Sequence, residues 1–246
     1  MSKEITFIKY QKRGAYHWQQ IKRSVFSYNA YVSARYQQII RQISKDKNLK
    51  ILDIGCGDGA LSYLIYQKIK ANITGIDTDI NSLEFARREL QKRDAKVKFI
   101  KANAYKLPFK NSSFDVIIAS EIIEHLGKPK IMLKEIKRVL KPNGQVIITT
   151  PVKISDIPED KMHIKEFTPQ ELKHNLEKYF KKVIIKTSHP LWLKKLYLFR
   201  IIKLNRYHLE PFRWLINFWV FLTTLNPFFS SFGITTNQIA VCKKPI

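Results

Sequence analysis

One short segment constrains the fold more than any other. Residues 52–62, LDIGCGDGALS, continue an apolar run, KILDIG at 50–55, and pass into the helically spaced ALSYLIYQKIK at 60–70. A buried strand, a glycine-rich turn and a helix in that order open a βαβ unit. Gly55, Gly57 and Gly59 let the backbone turn sharply and approach a ligand closely, because no Cβ stands in the way. The following helix aims the unpaired N–H groups of its first turn at whatever is bound there.

The alternation continues down the chain. Strands are predicted at ANITGID (71–77), KVKFIKAN (96–103), FDVIIAS (114–120), GQVIITTP (144–151), KKVIIKTS (181–188) and TTNQIAVCKK (235–244). Helices are predicted at NSLEFARRELQKR (81–93), capped by Asn81 or Ser82, and at KIMLKEIKRVL (130–140), stopped by Pro142 and Gly144. A third helix, TPQELKHNLEKYF (168–180), opens on Thr168, Pro169 and Glu171, the pattern of a capping box. Strands alternating with such helices predict an α/β, Rossmann-like fold with a mainly parallel sheet and helices on both faces. Two segments stand outside it: a basic, aromatic N-terminal extension or lid, 1–48, with 16–43 helical, and an aromatic helical insertion at 190–232 within the domain spanning 49–246.

The glycines alone are ambiguous, since Gly55, Gly57 and Ala60 also satisfy a dinucleotide-binding pattern with Asp77 near its acidic position. Asp53 helps decide. A carboxylate beside a pyrophosphate is repelled, whereas one beside a free ammonium is attracted. Asp58 adds a second acid to the loop. A ligand carrying ammonium and sulfonium groups therefore fits better than NAD. Asp77, closing GIDTD, is able to accept both hydroxyls of a ribose. Asn103 and Ala104 close the next strand, where a side-chain amide and a backbone N–H can face adenine.

Taken together, DIGCGDG (53–59), GIDTD (75–79), ANAYKLPFKNSSFDVII (102–118), SEIIEHL (120–126), EIKRVLKPNGQVIITTP (135–151) and HIKEFTPQEL (163–172) resemble the class I S-adenosylmethionine-dependent methyltransferases. The resemblance covers roughly 50–189 and the final strand. It implies a seven-stranded sheet whose last strand is antiparallel, with S-adenosyl-L-methionine across the carboxyl ends of the first strands. By the same resemblance Asp53, Gly55, Cys56 and Gly57 line the methionine moiety and Asp77 holds the ribose. Thr78 lies beside adenine, Asn103 and Ala104 face its rim, and Ser120 lies near the sulfonium. Many relatives have Asp where this chain has Asn103, and Thr78 is smaller and more polar than the usual aliphatic neighbour. Remaining alternatives are an NAD-binding Rossmann protein and a non-catalytic cofactor-binding protein.

Methyl transfer from a sulfonium is an in-line displacement that mainly needs alignment and exclusion of water. An oxygen acceptor also needs a general base. Glu124, His125 and His163 are the expected catalytic residues. Glu121, Glu124 and His125 share one face if their segment is helical. With His163 they form the quartet that small-RNA 2′-O-methyltransferases use for a divalent ion. EHL after the fourth strand also occurs in metal-free relatives with small-molecule or glycan acceptors, and no metal is the expectation here.

The formal charge of +24 bears on the acceptor. Residues 1–50 carry 11 basic and 2 acidic groups, and residues 190–246 carry 8 and 1. Basic and aromatic residues together suit a glycan or lipid-linked saccharide, with Arg200, Lys203 and Arg206 near anionic lipid or pyrophosphate. An RNA acceptor is the alternative, and a free small molecule needs neither feature. Residues 214–241 carry no charged side chain, yet the apolar part, 214–225, is too short to span a bilayer and Pro227 breaks it. It reads as a buried or interfacial helix, giving peripheral contact with an anionic membrane through 190–232. Two distant cysteines and an N-terminus without an apolar run predict a cytoplasmic protein.

Overall fold

Side chains of successive strand residues point to opposite faces, so a strand buried on both faces is apolar throughout. The computed structural model describes residue 10 and residues 14–201, 203–204 and 207–245. It contains α1 (Tyr16–Ile21), α2 (Ala30–Gln42), β1 (Lys50–Ile54), α3 (Ala60–Ile69), β2 (Asn72–Asp77), α4 (Ile80–Gln91), β3 (Val97–Lys101) and β4 (Phe114–Ser120). There follow α5 (Pro129–Val139), β5 (Leu140–Pro151), α6 (Pro169–Glu177), β6 (Phe180–Pro190), α7 (Leu191–Tyr197), α8 (Pro211–Thr223) and β7 (Thr235–Pro245). The seven strands form one sheet in the order β3-β2-β1-β4-β5-β7-β6. The first five pair in parallel, and β7 runs antiparallel to both of its neighbours. The expected seven-stranded Rossmann-like sheet is therefore present.

Alternation splits the core into two layers. Ile51, Val116, Ile118, Ile147 and Val241 pack on one face with α3, α4 and residues Tyr36, Ile39 and Ile43 of the N-terminal extension. Leu52, Ile54, Ile117, Val146, Ile148 and Cys242 pack on the other with α5 and α6. Thr168 caps α6 as expected, and its capping box with Glu171 is complete.

Three local expectations are corrected. The cap of helix α4 lies two or three residues earlier than predicted, because Asp79 rather than Asn81 or Ser82 is the cap, accepting from Asn81 N at 2.9 Å. Strand β5 begins at Leu140, not 144. Phe114 pairs with Leu140 and Val116 with Gln145, so a bulge absorbs the intervening residues, with Asn143 at φ 71°. The helix expected over 16–43 is two helices, and Asn29 caps the second by accepting from Val32 N.

The insertion folds into α7, a two-residue ladder pairing 203–204 with 207–208, α8, and a 3₁₀ turn, Pro227–Phe229. The side chain of Lys203 and all of Arg206 lie outside the described residues. A third apolar cluster joins this insertion to the N-terminal extension through Tyr28, Ala30, Ala34, Leu193, Tyr197, Val220 and Phe228. Inside it, Asn217 is fully buried. Its amide donates to Val25 O at 2.8 Å and Tyr28 O at 3.0 Å, and its carbonyl accepts from Tyr197 Oη at 2.9 Å. Asn226 donates to Ala30 O at 2.8 Å. Buried amides so satisfied fix one packing, because any other leaves them unpaired. No helix among the described residues is long and apolar enough to cross a membrane.

Removing the Asn217 amide takes its donor from Val25 O, leaves Tyr28 O to Tyr197 and Arg213, and deprives the buried Tyr197 hydroxyl of the Asn217 acceptor. Asn217→Ala is expected to lower stability by about 2–3 kcal/mol, read as a shift in the urea midpoint at unchanged slope.

Candidate active site

Strand order reverses between β1 and β4, and in such sheets ligands bind beyond the carboxyl ends at the reversal. The glycine loop lies there. Gly55 N and Cys56 N both donate to Ile76 O, at 2.8 and 3.0 Å, folding the loop over the end of β2. Gly57 has φ 53°, and a Cβ there would run into the hydroxyl of Tyr10. A Cβ on Gly59, at φ 77°, would lie 2.9 Å from both Ala86 and Phe99, so this glycine lets α3 and α4 close on one another.

Asp53 is buried under the loop and accepts from Ser62 Oγ at 2.6 Å. Burial pushes its carboxyl up to about 7, against the pull of the Ser62 hydroxyl, and the charge of Asp77 adds to the rise. Asp77 accepts from Gly57 N and Asp79 N, each at 2.9 Å. Each carboxylate oxygen has a further acceptor site, and the side chain is part-exposed toward the cleft. Thr78 and the neighbouring Ile80 are exposed beside it. Asn103 is exposed at the end of β3, next to Asp77 across the sheet edge, where Ala102 N donates to Asp77 O at 3.0 Å. Its side-chain oxygen is taken by Tyr105 N at 2.9 Å, so the amide N–H groups are what it offers a ligand. Ala104 is buried behind it. Ser120, closing β4, shares a hydrogen bond of 2.9 Å with Thr149.

Two loop residues sit differently from their sequence reading. Cys56 belongs to the sheet-face core, and burial, reinforced by Asp53, Asp77 and Asp58, pushes its thiol well up. Its side chain packs in that core. Asp58 is buried and spent on the N-terminal extension: its carboxylate accepts from His17 N at 3.0 Å and meets His17 Nδ1 at 3.2 Å. Its backbone carbonyl accepts from Trp18 Nε1 at 2.6 Å. With Tyr10 these contacts roof the loop. No sequence signal pointed to them, since they join residues some 40 positions apart.

The acid and histidine candidates separate into two groups. Glu121 has φ 56° and leaves the three-residue 3₁₀ turn Ile123–His125, so the expected shared helical face does not form. It is held instead by Arg35 of α2, at 2.9 Å, and by Asn237 Nδ2 at 3.3 Å. Glu124, His125 and His163 do converge, with ligand atoms within 4.8 Å of one another. Glu124 is fully buried. Oε2 accepts from Thr150 Oγ1 at 2.9 Å, while Oε1 has no hydrogen-bond partner among the described residues. Burial, then the charge of Glu121, pushes its carboxyl well up. His125 Nδ1 lies 2.9 Å from Met162 O, so that nitrogen is the donor. His163 Nδ1 lies 2.6 Å from Glu166 Oε1. In each ring this arrangement directs the basic lone pair of the neutral form to Nε2.

Beside this cluster is an open cavity of about 480 Å³, lined by Tyr31 of α2, Lys194 of α7, and Glu121, Glu159, Lys161 and His163. Lys194 is bound by Glu159 and stands 5.3 Å over the ring of Tyr31. The N-terminal extension and the insertion therefore both wall the space beyond β4 and β5.

The family described as a methyltransferase domain matches residues 45–201. The ubiquinone biosynthesis O-methyltransferase of Pelagibacter ubique is 38% identical over 104 residues, 42% of each chain. The sterol 4-C-methyltransferase of Caenorhabditis elegans is 32% identical over 133 residues, 52% of this chain and 39% of that one. The chain thus covers less than half the length of either relative. Phosphoethanolamine N-methyltransferase 2 of Haemonchus contortus, solved with S-adenosyl-L-methionine, has the same fold at TM-score 0.66 and 16% identity, over 98% of this chain and 60% of that one. Sheet order, glycine loop and paired strand-end acids define a nucleotide-cofactor α/β enzyme. Within that class the chain belongs to the class I S-adenosylmethionine-dependent methyltransferases. Its residues fit the cofactor: a narrow cradle at Gly57, a buried carboxyl at Asp53 suited to an ammonium, and acceptor sites on Asp77.

Asp53 supplies a pH test. Its folded value lies above the ordinary 3.8, so its contribution to stability is full below about 4 and is lost as pH rises through about 7. An ammonium beside it reverses the preference, since the pairing needs the ionised carboxylate. Affinity for S-adenosylmethionine is expected to rise about fivefold from pH 6 to pH 7, below the range where an α-amino group loses its proton. Calorimetry at both pH values checks this, and Asp53→Asn should flatten the profile and weaken binding.

Proposed function

We propose that this protein methylates a hydroxyl of a small or lipid-linked acceptor seated in the cavity beyond β4 and β5, with His163 as general base. The observation that carries this reading is that His163 lines the cavity while Glu166 holds its Nδ1. A carboxylate there selects the tautomer with a basic Nε2 and stabilises the imidazolium that forms when a proton is taken up. S-adenosylmethionine supplies an already activated methyl group, so the protein has only to orient the acceptor, exclude water and remove its proton. Tyr31 and Lys194 wall the cavity from the extension and the insertion, consistent with both acting as a lid and selecting the acceptor. Relatives named for ubiquinone biosynthesis and for sterols support an acceptor with an apolar body, and the first is an O-methyltransferase.

A second reading is favoured by one observation: Glu124, His125 and His163 together fit a divalent ion. Two imidazoles and a carboxylate are the donor set of transition-metal sites. The unpartnered Oε1 of Glu124 and the outer hydrogen bonds of both histidines are the supports such ligands have. An ion held there would lower the acceptor hydroxyl's affinity for its proton.

Incubating the enzyme with methyl-labelled cofactor and a cell extract, then fractionating lipids, RNA, protein and small molecules, tests the acceptor. Label is expected in the lipid or small-molecule fraction, and label in RNA would refute the proposal. His163→Ala should slow transfer by about 10²–10⁴-fold with cofactor affinity unchanged. General-base catalysis predicts turnover that survives chelation. Loss on chelation with rescue by added Mn²⁺ or Zn²⁺ would replace it with the metal reading.

A further inference from the structure

Helix α8 carries its apolar face outward. Leu215, Phe218, Trp219 and Leu222 are 64, 57, 52 and 71% exposed, and their spacing of three and four residues puts them on one stripe. The side turned to the protein packs Ile216, Val220 and Phe221 and also carries hydrogen-bonding groups: Asn217 is bonded to Val25, Tyr28 and Tyr197, and Arg213 donates to Tyr28 O at 3.2 Å. Rotating the helix to hide the stripe would break all of these. The outward face is therefore specified by the sequence and is not a shortage of core.

The stripe extends beyond the helix. Phe26, 73% exposed, meets Trp214 edge-on with centroids 5.6 Å apart. A soluble monomer rarely leaves so continuous an apolar strip in water. Its rim is cationic. Arg23 donates to Phe221 O at 2.9 Å and stands over that ring, with exposed Lys22 beside it. Glu210, the one acid of residues 190–246, is paired with Arg200 and Arg213.

We propose that this face docks the enzyme on an anionic phospholipid surface, α8 lying in the plane of the headgroups with Phe218, Trp219 and Leu222 among the acyl chains. At 13 residues and without a charge after Arg213, α8 is too short to cross a bilayer but suited to lying on one. Trp and Phe favour that boundary, and basic groups at the rim are drawn to anionic lipid. Charge complementarity selects this occupant over a second copy of the chain, whose identical rim would repel it. The proposal stands on α8 and its rim and does not depend on the identity of the acceptor.

Flotation of the full chain with vesicles of phosphatidylcholine alone, and of phosphatidylcholine with phosphatidylglycerol, tests it. Binding is expected to the anionic vesicles, reduced about tenfold or more by Phe218→Glu with Leu222→Glu and by high salt. Both positions are exposed, so the variant should keep its melting temperature and its affinity for S-adenosylmethionine. Ile157→Glu, at an apolar residue 80% exposed elsewhere on the surface, should bind vesicles like the parent. Absence of binding to anionic vesicles, or binding that the double variant leaves intact, would overturn the proposal. So would a dimer in solution that the double variant dissociates, which would assign the face to a second copy.

Discussion

The reversal of winding between β1 and β4 is the constraint on which the rest depends. Right-handed crossovers place helices on opposite faces on either side of it, so no crossover helix covers the carboxyl ends at that point. The groups assigned to the cofactor are hung from those ends: Asp53 and the glycine loop from β1, Asp77 from β2, Asn103 from β3, Ser120 from β4, with Glu124 just beyond it. Buried carboxyls are found at these ends. Asp53 and Glu124 are carboxyls in the two apolar layers, and both are driven toward their neutral forms by burial. Such groups destabilise a fold unless a ligand or partner compensates them, which is why they mark the site.

The two added segments are held by polar rather than merely apolar contacts. Asp58 takes the backbone of His17 and the indole of Trp18, and Asn217 and Asn226 bond the backbone of residues 25–30. Hydrophobic contact alone would let helices slide or rotate, whereas a buried amide accepts only one register. The extension is in consequence part of the sheet-face core as well as the roof of the loop. Arg35 shows the same logic near the acceptor cavity: it carries a charge from α2 onto Glu121, fixing the residue that follows β4 in a left-handed turn.

What could be read beforehand follows the range of the forces involved. The strands, the capping box at Thr168 and the glycine loop are local patterns of apolar period and turn chemistry, and they were legible. The start of β5 was not, because a bulge depends on its partner strand and Pro142 with Gly144 looked like a stop. Asp79 outcompeted Asn81 and Ser82 because Asp77 takes its N–H and leaves it extended, a consequence of where β2 ends. Composition marked the insertion as unusual. Which side of α8 faces water was decided by Asn217 finding carbonyls almost 190 residues away, a pairing no window of sequence contains.

These long-range ties also connect the two ends of the molecule's chemistry. Tyr28 anchors α8 through its carbonyl, and Tyr31, three residues on in the first turn of α2, walls the cavity. Leu193 and Tyr197 of α7 pack in the cluster that supports α8, while Lys194 between them lines the cavity. Residues of α7 thus serve both the support of α8 and the cavity wall. The excess positive charge of the flanking segments has a place in this arrangement. Part of it, Lys22 and Arg23 of the extension, edges the apolar stripe, and Lys194 of the insertion lines the cavity beside Glu121, Glu159 and Asp160, while Asp53 and Asp77 stand at the cofactor loop.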